Sequence, residues 1–252
     1  MNIYVSDLFG TQLDYIKQNQ LGYEIMTYAN PGGLDNFDTL HPKVTQNMQG
    51  LKNFSMHGTF DGISYTTGDR LILEATKKRF LQNIQAASFH GVKRLVFHSA
   101  YRRFFRFHEE MTKYFVNTSI NFWKEIEQSI PDGMTVFIEN VEDEDPYVFA
   151  DVISGIESPK IKCCFDIGHA YVFSPVPPGT WVKVLGSKIG HVHINDNDGE
   201  NDSHMPLGTG SIPLAETIHS IKSCVGDDVP FVLECDACAS VEWLRYNGLM
   251  GN

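Results

Sequence analysis

The sequence predicts an α/β fold, a (β/α)8 TIM barrel, in a single domain spanning residues 1–252. Three observations predict it. Short β-rich runs alternate with longer helical patterns along the whole chain, and the runs number eight. No stretch has the composition of a linker, and no repeat of roughly 20–50 residues divides the chain. Neither G-x-G-x-x-G nor G-x-x-x-x-G-K-[ST] occurs, which counts against a doubly wound nucleotide-binding sheet.

The strands read, in order, as 3–8 (IYVSDL), 23–28 (YEIMTY), 53–57 (NFSMH), 94–98 (RLVFH), 134–139 (MTVFIE), 162–166 (KCCFD), 189–194 (IGHVHI) and 230–235 (PFVLEC). Each is apolar or aromatic-rich and bounded by turn residues. Residues 69–90 place Leu73, Thr76, Lys77, Phe80, Leu81 and Ile84 at three- and four-residue steps, and Gly91 follows at a helix C-cap position. Residues 109–129 carry Phe115, Ile120, Phe122, Trp123 and Ile126, with Pro131 and Gly133 as punctuation. Shorter helices are expected at 146–156, 178–186, 213–224 and 239–246. Trp123, Trp181 and Trp243 fall in helical segments and read as packing.

Composition narrows the function classes. With 42% hydrophobic and 20% charged residues the chain is globular, not disordered. A net charge of −11 counts against broad binding to nucleic acid or anionic membrane. No apolar run approaches the roughly 20 residues of a membrane helix. The opening MNIYVSDLFG lacks the cationic and apolar regions of a signal peptide. An odd count of five cysteines fits reduced thiols, so a cytoplasmic location is expected. Cys163 and Cys164 should lie on opposite faces of one strand. The C-D-A-C run at 235–238 has redox spacing but no second pair, and reads as buried or partly buried free thiols.

The polar residues carry the chemistry. His57 ends the third strand and His98 the fourth, Glu139 the fifth and Asp166 the sixth. His169 lies three residues past Asp166, His193 is in the seventh strand, Asp202 and His204 follow in its loop, and Glu234 is carried by the eighth. In a (β/α)8 barrel these ends converge on one face, where the active sites of the fold sit. Four carboxylates and five imidazoles then share a small volume. Unpaired buried carboxylates would shift pKa or destabilise the fold, and a divalent cation removes both problems. Histidine with carboxylate and no cysteine suits Zn²⁺, Mn²⁺ or another borderline to hard ion. A lone histidine at a strand end is more often a satisfied core residue; nine ligand-type residues at successive ends are hard to read that way. His191 shares the face of His193 one layer deeper and reads as a core hydrogen-bonding group.

The motifs MHGTF (56–60), VFHSAY (96–101), FIEN (137–140), CFDIGHA (164–170), HVHINDND (191–198), D-x-H (202–204) and PLGTGSI (206–212) together resemble the xylose-isomerase-like barrel superfamily. The likeness runs from about residue 50 to 236. That superfamily includes sugar-phosphate isomerase/epimerase-type proteins and endonuclease IV. In the first branch, the resemblance implies one divalent metal, Zn, Mn or Mg, on Glu139, Asp166, His193 and Glu234. Glu139 and Glu234 are then also the catalytic acid and base, and His169 contacts substrate. In the second branch it implies three zinc ions: one on His57, His98 and Glu139, one on Glu139, Asp166, His193 and Glu234, and one on His169, Asp202 and His204. The stretch HGTFDGISYTTGD (57–69) does not look like a DNA-penetrating loop, and the first 50 residues match neither branch closely enough to assign a substrate. Barrels of this kind often form homodimers through their outer helices, and no residue pattern marks which face would do so.

Two activities follow as expectations. One is isomerisation or epimerisation of a sugar or sugar phosphate, by proton transfer through a metal-stabilised enediolate. The other is phosphoester hydrolysis at clustered metals, which gives His57, His98, Asp202 and His204 a task. A metal-stabilised or ligand-sensing barrel is the non-enzymatic reading. ENVEDED (139–145) holds five acids and DNDGEND (196–202) four, so duplex nucleic acid is an unfavourable partner beside them. YRRFFRF (101–107) supplies Arg102, Arg103 and Arg106; Arg102 and Arg103 are expected to clamp an anionic part of the substrate, against the alternative of a solvated loop.

Overall fold

Eight strands pair in parallel, each with the next in sequence, and the last closes on the first. The structure is a computed structural model that describes every residue except 9, 11 and 252. The strands are β1 (Asn2–Ser6), β2 (Gly22–Ile25), β3 (Phe54–His57), β4 (Arg94–His98), β5 (Thr135–Glu139), β6 (Ile161–Asp166), β7 (Ile189–Ile194) and β8 (Pro230–Leu233). The helices are α1 (Leu13–Gln18), α2 (Pro31–Asp35), α3 (Phe37–Met48), α4 (Arg70–Phe89), α5 (Glu109–Glu127), α6 (Pro146–Ile156), α7 (Ile167–Phe173), α8 (Pro178–Leu185), α9 (Leu214–Val225) and α10 (Ala237–Tyr246). This is a (β/α)8 TIM barrel, as expected.

Local chemistry starts and stops the elements. The Asp69 carboxylate accepts from the Leu71 amide at 2.8 Å and begins α4; Gly91, at φ +68°, ends its turn in a conformation that side chains disfavour. Asp145 does the same for α6 through the Tyr147 amide at 2.8 Å, with Pro146 at the first helical position. The sequence pattern did not predict α1, α2, α3 or α7. In α3 only Val44 is buried and Pro42 interrupts the interior; in α1 only Ile16 is buried. A single apolar anchor leaves no periodicity to read. The last strand stops at Leu233, so Glu234 follows it directly instead of lying within it.

The main core lies between barrel and helices. Trp123 and Trp181 are fully buried there, and Phe80 stacks on Phe97 with ring centroids 4.1 Å apart. Trp243 is only half-buried and packs at the edge of this core. Inside the barrel a separate apolar plug holds Val96, Phe137 and Cys164, while Cys163 belongs to the outer core, so the two cysteines do face opposite ways. Cys235 is buried, but Cys238 is exposed at the start of α10, which corrects the expectation of buried or partly buried thiols for that residue. No described helix is long and apolar enough to cross a membrane.

Candidate metal centre at the barrel mouth

Strand register builds the site. His98 pairs with Glu139 and Asp166 with His193, so neighbouring strands present ligand-type residues at matched levels. Asp166 has a second role: its Oδ1 accepts from the His169 amide at 2.6 Å and caps α7, which turns the His169 ring toward the same space. Asp202 and His204 arrive on the loop after β7. That loop is braced by the buried Asp196 carboxylate, which accepts from the amides of Asn197, Gly208, Gly210 and Ile212 at 3.0, 2.9, 2.9 and 3.2 Å. Asp196 and Met205 also exchange backbone hydrogen bonds. At Gly208 (φ +81°) a Cβ would stand 2.0 Å from Trp243 Nε1, which accounts for a glycine in PLGTGSI.

The nine strand-end and loop residues fall into three groups, and within each the donor atoms lie within 4.8 Å of one another. Glu139, Asp166, His193 and Glu234 form the central group; His57 and His98 join Glu139 on one side; His169, Asp202 and His204 form the third. His193 Nδ1 is 3.0 Å from Glu139 Oε1 and 3.4 Å from Glu234 Oε1. His57 Nε2 is 3.1 Å and His98 Nε2 3.6 Å from Glu139 Oε2. Asp202 Oδ2 is 3.2 Å from His169 Nε2 and 3.3 Å from His204 Nε2.

The hydrogen bonds that the far ring nitrogens make decide whether these residues fit a cation. His57, His169 and His204 each place Nδ1 on a backbone carbonyl, Gly58 at 2.8 Å, Asn140 at 3.0 Å and Glu234 at 2.8 Å. A carbonyl only accepts, so Nδ1 carries a proton in each, and Nε2, beside a carboxylate oxygen, either holds a second proton or offers its lone pair to a cation. Lone pairs that face each other at such distances call for a positive charge between them. Asp166 Oδ2 is buried with no hydrogen-bond partner among the described residues. Imidazoles fixed through one nitrogen, with carboxylates beside the other, fit a Zn²⁺ or Mn²⁺ site.

Electrostatics agrees. Burial opposes charge on Glu139, yet His193 and then His98 hold its carboxyl well below the usual range. Burial pushes Asp166 up to about 7 and also raises Glu234. Burial takes His98 down to about 3, leaving it neutral as a ligand must be. For His204 burial is outweighed by its bond to Asp202 and the nearby Glu234, which raise it to about 9. Protons thus balance the cluster where a cation would otherwise do so.

A cavity of about 210 Å³ opens over the cluster, lined by His57, His98, Glu139, His169, His204 and Glu234 among others. Phe60 stacks on His98 at its edge, centroids 4.5 Å apart. A second cavity of about 210 Å³ lies on the far side of that pair, with Arg102 and Glu142 in its wall. Arg103 and Arg106 turn instead to Glu144, Arg103 Nε at 3.8 Å, so the structure separates Arg102 from Arg103. Sequence reasoning missed Glu24. It is fully buried in β2 and lies against both His191 and His193. A lone glutamate in a four-residue apolar strand was the available signal, since such residues are rarely buried unpaired.

Comparison with known proteins agrees with the architecture. Residues 18–246 match the Xylose isomerase-like TIM barrel family. The TTHB071 protein from Thermus thermophilus, solved after soaking with ZnCl2, superposes with a TM-score of 0.75 at 22% identity over 100% of both chains. A D-tagatose 3-epimerase-like protein superposes with the same score and identity, over 98% of this chain and 97% of its own. Fructoselysine 3-epimerase of Escherichia coli is 36% identical over 66 residues, 26% of this chain and 24% of the enzyme. The chain spans no more than 32% of the length of the curated relatives it matches. The family match runs through seven of the eight strands of a barrel that closes as the family's name requires, so the chain belongs to the Xylose isomerase-like TIM barrel family.

Proposed function

We propose that the protein is a divalent-metal-dependent isomerase or epimerase of a sugar or sugar phosphate. The observation that carries this reading is the pair of glutamates, Glu139 at the end of β5 and Glu234 just after β8, with His193 Nδ1 between them at 3.0 and 3.4 Å. A cation held by Glu139, Asp166, His193 and Glu234 would supply a Lewis acid for adjacent carbonyl and hydroxyl oxygens. The chain's own residues do the rest. Glu139, held low, is suited to take a proton from the carbon beside the carbonyl, and Glu234, raised by burial, to return one from the other side. His169, beside both Glu139 and Asp202, would contact a substrate hydroxyl. Arg102, in the wall of the adjoining cavity, would hold an anionic substituent; Arg103, engaged by Glu144, would contribute less. The relatives named as 3-epimerases support the choice of a sugar.

The two outer groups favour a second reading, a multinuclear phosphoesterase. A one-metal epimerase gives His57, His98, Asp202 and His204 no obvious work, whereas clustered ions clamp attacking and leaving oxygens. One experiment separates the readings. The protein, loaded with Mn²⁺ or Zn²⁺, is incubated in D2O with a panel of ketoses and their phosphates, and in parallel with small phosphodiesters. The proposal predicts deuterium at the carbon beside the carbonyl together with an epimeric or isomeric product, both lost in Glu234→Gln. Hydrolysis of a phosphodiester with no exchange into any sugar would overturn it in favour of the second reading.

A further inference from the structure

The barrel interior below the cluster holds a buried polar chain that the proposed chemistry does not use. It starts at Arg94, the first residue of β4, at the end of the barrel opposite the mouth. The Arg94 guanidinium lies over the Phe137 ring, 4.5 Å from its centroid, and donates to the Gly190 carbonyl. Its Nε donates to His191 Nδ1 at 3.3 Å. His191 Nε2 meets Glu24 Oε2 at 3.2 Å. The other oxygen, Glu24 Oε1, lies 3.1 Å from His193 Nε2; the angle is outside hydrogen-bond limits, and neither atom has another partner. Glu24, His191 and His193 are all fully buried.

We infer that Arg94, His191 and Glu24 are positioning residues that fix the tautomer of His193 and so aim its Nδ1 lone pair at the cluster. Each link has one direction. Arginine has no acceptor, so His191 Nδ1 must accept and its proton sits on Nε2. That proton goes to Glu24 Oε2. Glu24 Oε1 faces His193 Nε2 at 3.1 Å, so a proton on that nitrogen is favoured by the carboxylate's charge although the contact is bent. His193 Nδ1 is then the nitrogen turned to the cluster, hydrogen-bonded to Glu139 Oε1 at 3.0 Å and 3.4 Å from Glu234 Oε1, where a cation would take the place of its proton. A carboxylate behind a ligating imidazole also raises its basicity, and removing such a partner typically costs about 10–100-fold in metal affinity. The metal part of the inference rests on the reading above; the tautomer part does not.

The test uses the full chain stripped of metal, with 15N-labelled histidine, and long-range 1H–15N correlation to read each ring. The wild-type chain shows protonated Nε2 at both His191 and His193. In Glu24→Gln the amide accepts from only one neighbour and donates to the other. Arg94 pins His191, so the new amide donates to His193 Nε2, which loses its proton, and Mn²⁺ or Zn²⁺ affinity, read by competition with a chromophoric chelator, falls about 10–100-fold. Should Glu24→Gln fail to fold, Arg94→Leu serves: it lies farther from the mouth, and it releases His191 into both tautomers. A wild-type His193 with no proton on Nε2 overturns the inference. So does a folded Glu24→Gln with unchanged ring signals and affinity within about twofold, or an Arg94→Leu that leaves His191 unaltered. A wild-type chain that binds neither ion fails the metal reading above, and the positioning claim is then decided by the ring signals alone.

Discussion

The central group and the group formed by His169, Asp202 and His204 are made of the same residue types but are held in different ways. Glu139, Asp166 and His193 stand on strands whose register is set by the barrel, and all are fully buried. The Asp202 side chain is 27% exposed and that of His204 13%, on a loop that depends on the Asp196 brace. The barrel itself pre-forms the first arrangement, whereas the second joins His169 on α7 to two loop residues braced chiefly by the Asp196 carboxylate. Chemistry common to the family can therefore reside in the centre, while the loop is free to add or tune a function.

The largest effect is expected at the residue that joins the groups. Glu139→Gln removes the proposed acid/base group and a carboxylate shared by the central group and the His57/His98 group. Turnover should fall about 10²–10⁴-fold, as measured by steady-state kinetics with metal in excess. An unchanged rate would break the comparison at its centre. Asp196→Ala acts on the loop alone. It strips four amides of their acceptor, and leaving even one such group unsatisfied costs about 1–3 kcal/mol. The expected outcome is a lower Tm and loss of metal from the third group, with the central ion retained.

Acidity acts on both groups. A cation on the third group must displace protons from His169, raised well above its ordinary range, and from His204, held up to about 9; one on the central group must displace those of His193, also raised well above its range, and of Asp166, held up to about 7. Below each value affinity falls by about tenfold per pH unit for one displaced proton. On lowering the pH from 9, metal affinity should therefore fall at both groups, as followed by calorimetric titration at stepped pH. Arg102→Ala should raise KM for a phosphorylated sugar by about tenfold with kcat little changed, and Arg103→Ala by less. The smallest effect on epimerase turnover is expected from His204→Ala, which should cost an ion but leave the rate near that of the wild type. A large loss of rate would move the chemistry to the outer ions and favour the phosphoesterase.

Strand ends were legible because a barrel strand is short and announces its own limit. RLVFH and TVFIE pass from apolar to ionisable in one residue, and the fold brings that residue to the mouth. The long helices α4 and α5 were equally plain, each having enough turns to show a period. What stayed hidden needed tertiary partners to make sense. Glu24 looks like one polar residue in GYEI until His191, 167 residues away in sequence, and His193 are laid beside it. The different fates of Arg102 and Arg103 depend on where Glu144 lies, which no local pattern in YRRFFRF encodes. The short α7 follows from the side chain of Asp166, a residue whose cluster role masks its capping role.

The most direct test of the account is elemental analysis of the wild-type chain purified without chelators, beside Glu139→Gln and His204→Ala. At least one divalent ion per chain is expected in the wild type, with central binding lost or greatly weakened in Glu139→Gln and kept in His204→Ala. A wild-type chain that carries no ion, even after incubation with Mn²⁺ and Zn²⁺, would contradict it.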